Sequence, residues 1–297
     1  MKRKKFWIVF GSCCLSVVLL CTIFAFVFRL KTVDIEIRSR EEQTKTNLGE
    51  DIRQTVLDSG EFDFGKNIVF MNFEDNIEKI EKSNPYVKVE QVVRRFPNIV
   101  RVYISERVPR YRVKDASSEN WYILDVDFKV LDKVSASELK SKVVCGNSNY
   151  FDRTIEITKE TLTFESAIIG EFVEDDIMIY LTDITTGVYG KTKDITAVRK
   201  IDYSGIDKTF TLTMRNAGNN DQLGCNIVIS GTSKLYEKVL KGITTFITCS
   251  DPVIKDENGQ DIEIGEALIK NIPDEIIEVK QDSNGKIYVI KPSGETE

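Results

Sequence analysis

Hydrophobic positions along the chain fall into successive regimes. From Phe6 to Phe28 they run unbroken: 23 residues, FWIVFGSCCLSVVLLCTIFAFVF, carry no charge. At helical rise this is roughly 34 Å, enough to cross a hydrocarbon core with some tilt. The run is longer than the apolar stretch of a cleaved signal and ends in Phe-Arg-Leu rather than at a small-residue cleavage site. It is expected to stay as a membrane anchor. From Thr32 the period drops to two, with Val33, Ile35 and Ile37 alternating against Asp34, Glu36 and Arg38 in a half-buried strand. It then lengthens. Leu48, Ile52 and Val56 recur at helical spacing through Asn47–Ser59, with Gly60 as the expected stop. After the short apolar run Ile68–Met71, Asn72 and Asp75 resemble an N-cap and its acidic first turn. Phe73, Ile77 and Ile80 form the apolar stripe of a helix ending before Pro85.

Val87–Pro109, VKVEQVVRRFPNIVRVYISERVP, is the best-patterned stretch. Two β-branched runs flank the break Phe96-Pro97-Asn98, and Val100, Val102 and Ile104 alternate strictly with polar neighbours. The spacing predicts a hairpin, with a bulge where Val92 and Val93 adjoin. Residues 32–109 therefore read β-α-α-β-β. Beyond Pro109 the chain stays strand-rich. Trp121–Asp125 and Phe128–Leu131 form a hairpin around Val126-Asp127. Thr154–Ile157, Leu162–Phe164, Val198–Tyr203, Thr209–Met214 and Asn226–Ser230 read as strands, with Asn216–Asp221 as a turn. Phe172–Thr186 and Ser233–Ile247 are spaced as helices. Asp256–Gln260 reads as a turn, while Ile262–Ile272 fits either state. Glu275–Lys280 and Lys286–Lys291 flank the hairpin turn Asp282-Ser283-Asn284-Gly285. The fold class is α+β. The expected organisation is a tail (1–5), a transmembrane helix (6–28), a β-α-α-β-β domain (32–109), a β-rich α+β domain (110–291) and a frayed end (292–297). The two body domains are expected to abut near Arg110–Asn120.

Charge sharpens this. Residues 1–31 hold Lys2, Arg3, Lys4, Lys5, Arg29 and Lys31 and no acid, which leaves 35 basic against 47 acidic residues in the rest. The denser cationic end predicts a cytoplasmic N-terminus and an extracytoplasmic body. An acidic body argues against a nucleic-acid partner. The chain has no histidine, so the commonest general base and metal ligand is missing. Its six cysteines show no C-x-x-C spacing. Cys145, Cys225 and Cys249 read as buried small hydrophobes, with a Cys225–Cys249 disulfide as the alternative.

Taken together, the anchor, TVDIEI, Asn67-Ile68, Pro85-Tyr86-Val87, Arg94-Arg95-Phe96-Pro97 and Glu106-Arg107-Val108-Pro109 resemble the FtsQ/DivIB family of bacterial cell-division proteins. The resemblance covers about residues 1–131 well and is thin after that. The Trp121–Leu131 hairpin lacks the family's usual turn glycine. Leu223-Gly224 and Tyr236–Leu240 are similar to a later family pattern, and Asp251–Asp274 is longer than the usual link. The resemblance implies a POTRA domain of β-α-α-β-β order and a non-enzymatic divisome scaffold at the septum. It also implies partners of the FtsB/DivIC and FtsL type, with FtsW and the septal transpeptidase possible in the same assembly. In that family the terminal strand region pairs with a strand of the small partner. Lys286, Ile287, Tyr288, Val289 and Ile290 are the corresponding partner-binding candidates, provided they form a sheet edge. Arg94-Arg95 could meet anionic lipid or a partner, or simply be the wet end of a strand.

Competing chemistry is thin. Ser137-Glu138-Leu139-Lys140 matches the S-x-x-K of penicillin-interacting enzymes, but the companion elements are missing and Lys191-Thr192-Lys193 only imitates one. Asp125-x-Asp127 and Asp251…Asp256…Asp261 lack an EF-hand's glycine and closing glutamate, and read as turn acids. No catalytic, cofactor or metal residue is expected. A membrane-tethered cell-wall enzyme and a POTRA-type chaperone or secretion component are the alternatives.

Overall fold

A computed structural model describes residues 2–38, 48, 51–115, 118–144, 149–159, 167–215, 223–249 and 276–290. The expectations for Leu162–Phe164, Asn216–Asp221, Asp251–Asp274, Cys145, Lys291 and Pro292–Glu297 lie outside them, as does the side chain of Cys249. The chain divides into two compact units, Met1–Arg107 and Val108–Glu297.

The first unit begins with helix α1 (Lys2–Val27). Phe10–Val27 is long and apolar enough to cross a membrane. A three-stranded sheet follows: β1 (Thr32–Ile37), β2 (Val87–Arg95) and β3 (Ile99–Glu106), in the order β1-β3-β2. β3 lies between an antiparallel β2 and a parallel β1. A parallel pair needs a long crossover, and helices α2 (Ile52–Gly60) and α3 (Glu74–Ser83) supply it. Central placement explains the strict alternation read in β3: Val100, Val102 and Ile104 are fully buried, with Ile52, Val56, Ile68, Ile80 and Val87 in the same core.

The details differ from the pattern in three ways. The bulge falls between Val89 and Gln91 rather than at Val92-Val93. Helix α2 starts at Ile52, and Leu48 packs into the core from outside it. Gly60 is helical, and the left-handed stop is Glu61. Gly60 is needed instead for space, because a Cβ there would stand 2.5 Å from the Phe62 ring. The motif residue Arg107 is buried. Its Nη2 lies 3.0 Å from Glu81 Oε2, and its Nε donates to the Val87 carbonyl. Glu81 Oε1 accepts from the N–H of Val89, directly before the bulge.

Among the described residues the second unit is built on a nine-stranded mixed sheet. In chain order its strands are β4 (Tyr111–Lys114), β5 (Asn120–Leu124), β6 (Val130–Ser135), β7 (Ile155–Lys159), β8 (Val198–Ser204), β9 (Thr209–Arg215), β10 (Leu223–Ser230), β11 (Ile276–Gln281) and β12 (Ile287–Ile290). Across the sheet the order is β12-β11-β10-β9-β8-β7-β4-β5-β6. Helices α6 (Ile177–Thr192) and α7 (Leu235–Cys249) bury Leu181, Ile184, Val188, Val239, Ile243 and Phe246 in a core shared with Leu124, Ile157, Ile201, Leu212, Ile227 and Val279. Fit is tight under α7: a Cβ on Gly242 would meet Ile227 Cγ2 at 2.8 Å. A smaller core of Ile123, Val134, Leu139, Val144 and Tyr150 involves α4 (Ala136–Ser141) and α5 (Tyr150–Arg153). Ile123 enters this core while its neighbours Tyr122 and Leu124 enter the large one, so β5 buries both faces.

Strand β4 lies within the stretch expected as a junction. Tyr111 and Val113 point into the large core, while Arg112 is buried elsewhere. Its Nη1 donates to the Thr154 carbonyl at 2.5 Å, and its Nη2 lies 3.3 Å from Glu156 Oε2. Two charged residues in YRVK hide the strand pattern because one of them is internally paired. Nearby, burial and the charge of Arg215 push the Arg199 guanidinium down to about 10. The β5–β6 turn works without glycine. Phe128 takes the left-handed conformation (φ 65°), and its buried ring packs on Tyr111 at 5.0 Å. Helix α6 starts later than its spacing suggests because Asp175 Oδ1 accepts the Ile177 N–H. Lys159 pairs in turn with Asp175 and Asp176.

Candidate functional site at the terminal strand

Strand β12 is the last in the nine-stranded order, and among the described residues it pairs with β11 alone. The turn before it is built by Asp282. Its carboxylate accepts from the N–H groups of Asn284 and Lys286, its carbonyl accepts from Gly285, and Gly285 sits at φ 79°. A left-handed glycine closing a short hairpin is what such turns require. Lys286 therefore belongs to the turn's exit rather than to the strand, which begins at Ile287.

The register pairs Gln281 with Ile287, Lys280 with Tyr288, Val279 with Val289 and Glu278 with Ile290. Asp282 donates its N–H to the Lys286 carbonyl at 3.0 Å, which makes that pair hydrogen-bonded. Bonded and non-bonded pairs alternate in an antiparallel ladder. The backbone groups of Tyr288 and Ile290 then face β11, and those of Ile287 and Val289 face the open side. The side chains divide as the alternation implies. Val289 is fully buried in the large core with Ile287 packed beside it, while Tyr288 and Ile290 are half-buried on the other face. One outward group is occupied: Lys241 Nζ on α7 donates to the Ile287 carbonyl at 3.0 Å. An edge of this kind offers main-chain hydrogen bonds for affinity and alternate side chains for selectivity.

The remaining candidates are placed as follows. Ser135, not Ser137, caps α4. Its hydroxyl accepts from Glu138 N, and Glu138 Oε2 accepts from Ser135 N at 2.8 Å, a reciprocal capping box. These hydrogen bonds hold the Glu138 carboxyl below its usual range, the backbone bond most strongly. Ser137 Oγ lies 3.0 Å from Ser135 Oγ, whereas Lys140 Nζ sits over the Phe151 ring at 5.1 Å. Asp125 Oδ1 accepts from the N–H groups of Asp127 and Lys129, so this acid shapes the turn. Among the described residues no group of three or more His, Cys, Asp or Glu is placed to hold a metal ion. Arg94 does more than end a strand: its guanidinium donates to the carbonyls of Ile68 (2.7 Å) and Met71 (2.5 Å). Sequence reasoning missed this clamp and the Lys241 bond. Both join residues distant in sequence, and neither leaves a periodic trace.

Residues 42–107 match the family model described as POTRA domain, FtsQ-type. A curated relative, cell division protein DivIB of Clostridium tetani (strain Massachusetts / E88), is 30% identical over 81 residues. That match takes in 27% of this chain and 29% of the relative's length, so it reports on one module of each. The β-α-α-β-β unit is thus an FtsQ-type POTRA domain, and through this module the chain is similar to the FtsQ/DivIB family.

Proposed function

We propose that the chain is a non-enzymatic, membrane-anchored scaffold of the bacterial division machinery. The observation that carries this is the FtsQ-type POTRA match together with the likeness to a cell division protein. In this reading residues 6–28 span the cytoplasmic membrane with the N-terminus cytoplasmic. Residues 32–109 form the POTRA domain and residues 110–291 the second domain, both extracytoplasmic and at the septum. The work is recruitment: the terminal edge adds a strand of an FtsB/DivIC-type partner, in company with FtsL, and links them to FtsW and the septal transpeptidase. The outward N–H of Ile287 and the outward backbone groups of Val289, which pair with no further strand among the described residues, favour that mode, since strand addition needs donors and acceptors on an accessible edge.

A fluorescent fusion followed through the division cycle tests the role. Concentration at mid-cell is expected, and even envelope labelling throughout division would refute it. Ile287→Pro tests the edge. It deletes an outward N–H at the first position of a strand, where proline is tolerated. Capture of the small partner should fall sharply while the fold persists. Undiminished capture would place the contact elsewhere.

A further inference from the structure

Three large aromatic side chains of the POTRA unit are exposed: Phe70 at 78%, Phe96 at 61% and Phe64 at 58%. They come from separate segments. Phe64 and Phe70 lie in the α2–α3 connection, and Phe96 is in the β2–β3 turn. Two of them touch the end of the apolar helix. The Phe70 ring meets Phe24 edge-on at 6.0 Å, and Phe96 meets Phe28 at 5.6 Å.

These contacts fix a depth. The apolar run is roughly 34 Å long against a core of about 30 Å, so Phe28 lies near its boundary and Phe24 about 6 Å, one turn, further in. A ring in contact with Phe24 stands at the same level. The backbone holds it there. Asn67 Nδ2 donates to the Phe24 carbonyl at 3.1 Å, and Ile68 N donates to the Phe28 carbonyl at 2.8 Å. Leu30 N donates to Lys66 O at 2.8 Å, and Gly65 N donates to Leu30 O at 2.9 Å. A helix end leaves carbonyls unpaired, and in lipid that is costly. The POTRA connection supplies the partners. Arg94 clamps the same connection from β2, and Lys31 N donates to Asn98 O in the turn that carries Phe96.

From this we infer that Phe64, Phe70 and Phe96 are seated in the headgroup–acyl boundary of the bilayer around the exit of α1. The POTRA module is then held against the lipid surface instead of swinging on a tether. The chemistry is that of an aromatic interfacial belt, here assembled by a folded domain instead of by the helix itself. Lys31 at the helix exit suits the phosphate layer above it.

The inference rests on α1 spanning the membrane, and the experiment separates the two. Single-tryptophan versions of the full chain, in a Trp7→Phe/Trp121→Phe background, are placed in nanodiscs containing lipids brominated at shallow or deep acyl positions. Val18→Trp reports the span. Lys82→Trp reports a water-exposed site in the last turn of α3, which leads into the end of β2 away from the Phe96 turn; β2 itself spans about 26 Å. Phe64→Trp, Phe70→Trp and Phe96→Trp, all at exposed positions, should emit at shorter wavelength than Lys82→Trp. Shallow bromines should quench them several-fold more strongly than they quench Lys82→Trp. Quenching of any of the three no greater than at Lys82→Trp, with Val18→Trp still quenched by deep bromines, would overturn the seating alone. Loss of quenching at Val18→Trp would overturn the span and the seating with it.

Discussion

Arg107 and Glu81 make the sharpest test of how the POTRA unit is held together. Arg107 is 4% exposed, Glu81 is largely buried, and their ion pair ties the end of β3 to α3. Glu81 also satisfies the Val89 N–H at the bulge. Removing one member of a buried pair costs about 3–5 kcal/mol, mainly because the other charge is left uncompensated. Glu81 keeps some contact with water, so Arg107→Met is expected at the low end, about 3 kcal/mol. Glu81→Gln keeps an acceptor for Val89 but leaves the more deeply buried Arg107 charge without its carboxylate, so it should cost at least as much, about 3–5 kcal/mol. In the double variant no charge is stranded, so its cost should fall below the sum by about 2 kcal/mol. Hydrogen exchange at Val102, in the middle of β3, reads opening of the whole unit. The Arg107→Met cost corresponds to roughly a 100-fold loss of protection there. A loss under about fivefold, or a double variant equal to the sum of the singles, would refute a coupled buried pair.

Other outcomes are expected elsewhere. Phe128→Gly removes the left-handed strain, about 1 kcal/mol, but forfeits a buried ring worth about 3–5 kcal/mol. A lower urea midpoint for the second unit is expected despite the family's preference for glycine there. Gly242→Ala pushes a methyl to 2.8 Å from Ile227 and should cost about 1–3 kcal/mol in the same assay. The depressed Glu138 carboxyl stabilises α4 fully above the ordinary glutamate range, and that contribution is lost as pH falls through its lowered folded value. Protection of the Ser135 amide, corrected for intrinsic exchange, should therefore decline only in acid, and Glu138→Gln should flatten the decline. Lys241→Met frees the Ile287 carbonyl, so capture of a strand-adding partner should tighten; weaker capture would show that Lys241 itself contacts the partner.

What could be read beforehand followed from how each segment meets water. β3 sends Val100, Val102 and Ile104 into the core and its polar and aromatic residues to the other face, and β1 alternates beside it, so period two exposed both. Helix stripes were as plain in α3 and α7, although helix ends elsewhere were set by local features no period reports: Glu61 in the left-handed stop of α2, and Asp175 holding the first turn of α6. β4 was illegible because Arg112, polar by type, is buried and paired. α4 is a six-residue helix whose only strong sign is Ser135 with Glu138 three positions on, a pair obscured by the overlapping S-x-x-K. At the terminal hairpin, alternation alone could not choose the inward pair. The register and the Asp282 bond decide it, placing the side chains of Ile287 and Val289 in the core and their backbone at the open side.

The hydrogen bonds between the end of α1 and residues 65–68 give the joint a rotational meaning. Helical residues advance by about 100° each, so a face of α1 chosen by packing against another membrane helix also chooses a compass direction for the POTRA sheet. A single residue inserted between Val27 and the Leu30–Lys66 bond would have to be absorbed at this joint or turn the module through most of a right angle or more. Four inserted residues would bring it back to within about 40° of its original heading, one turn further out.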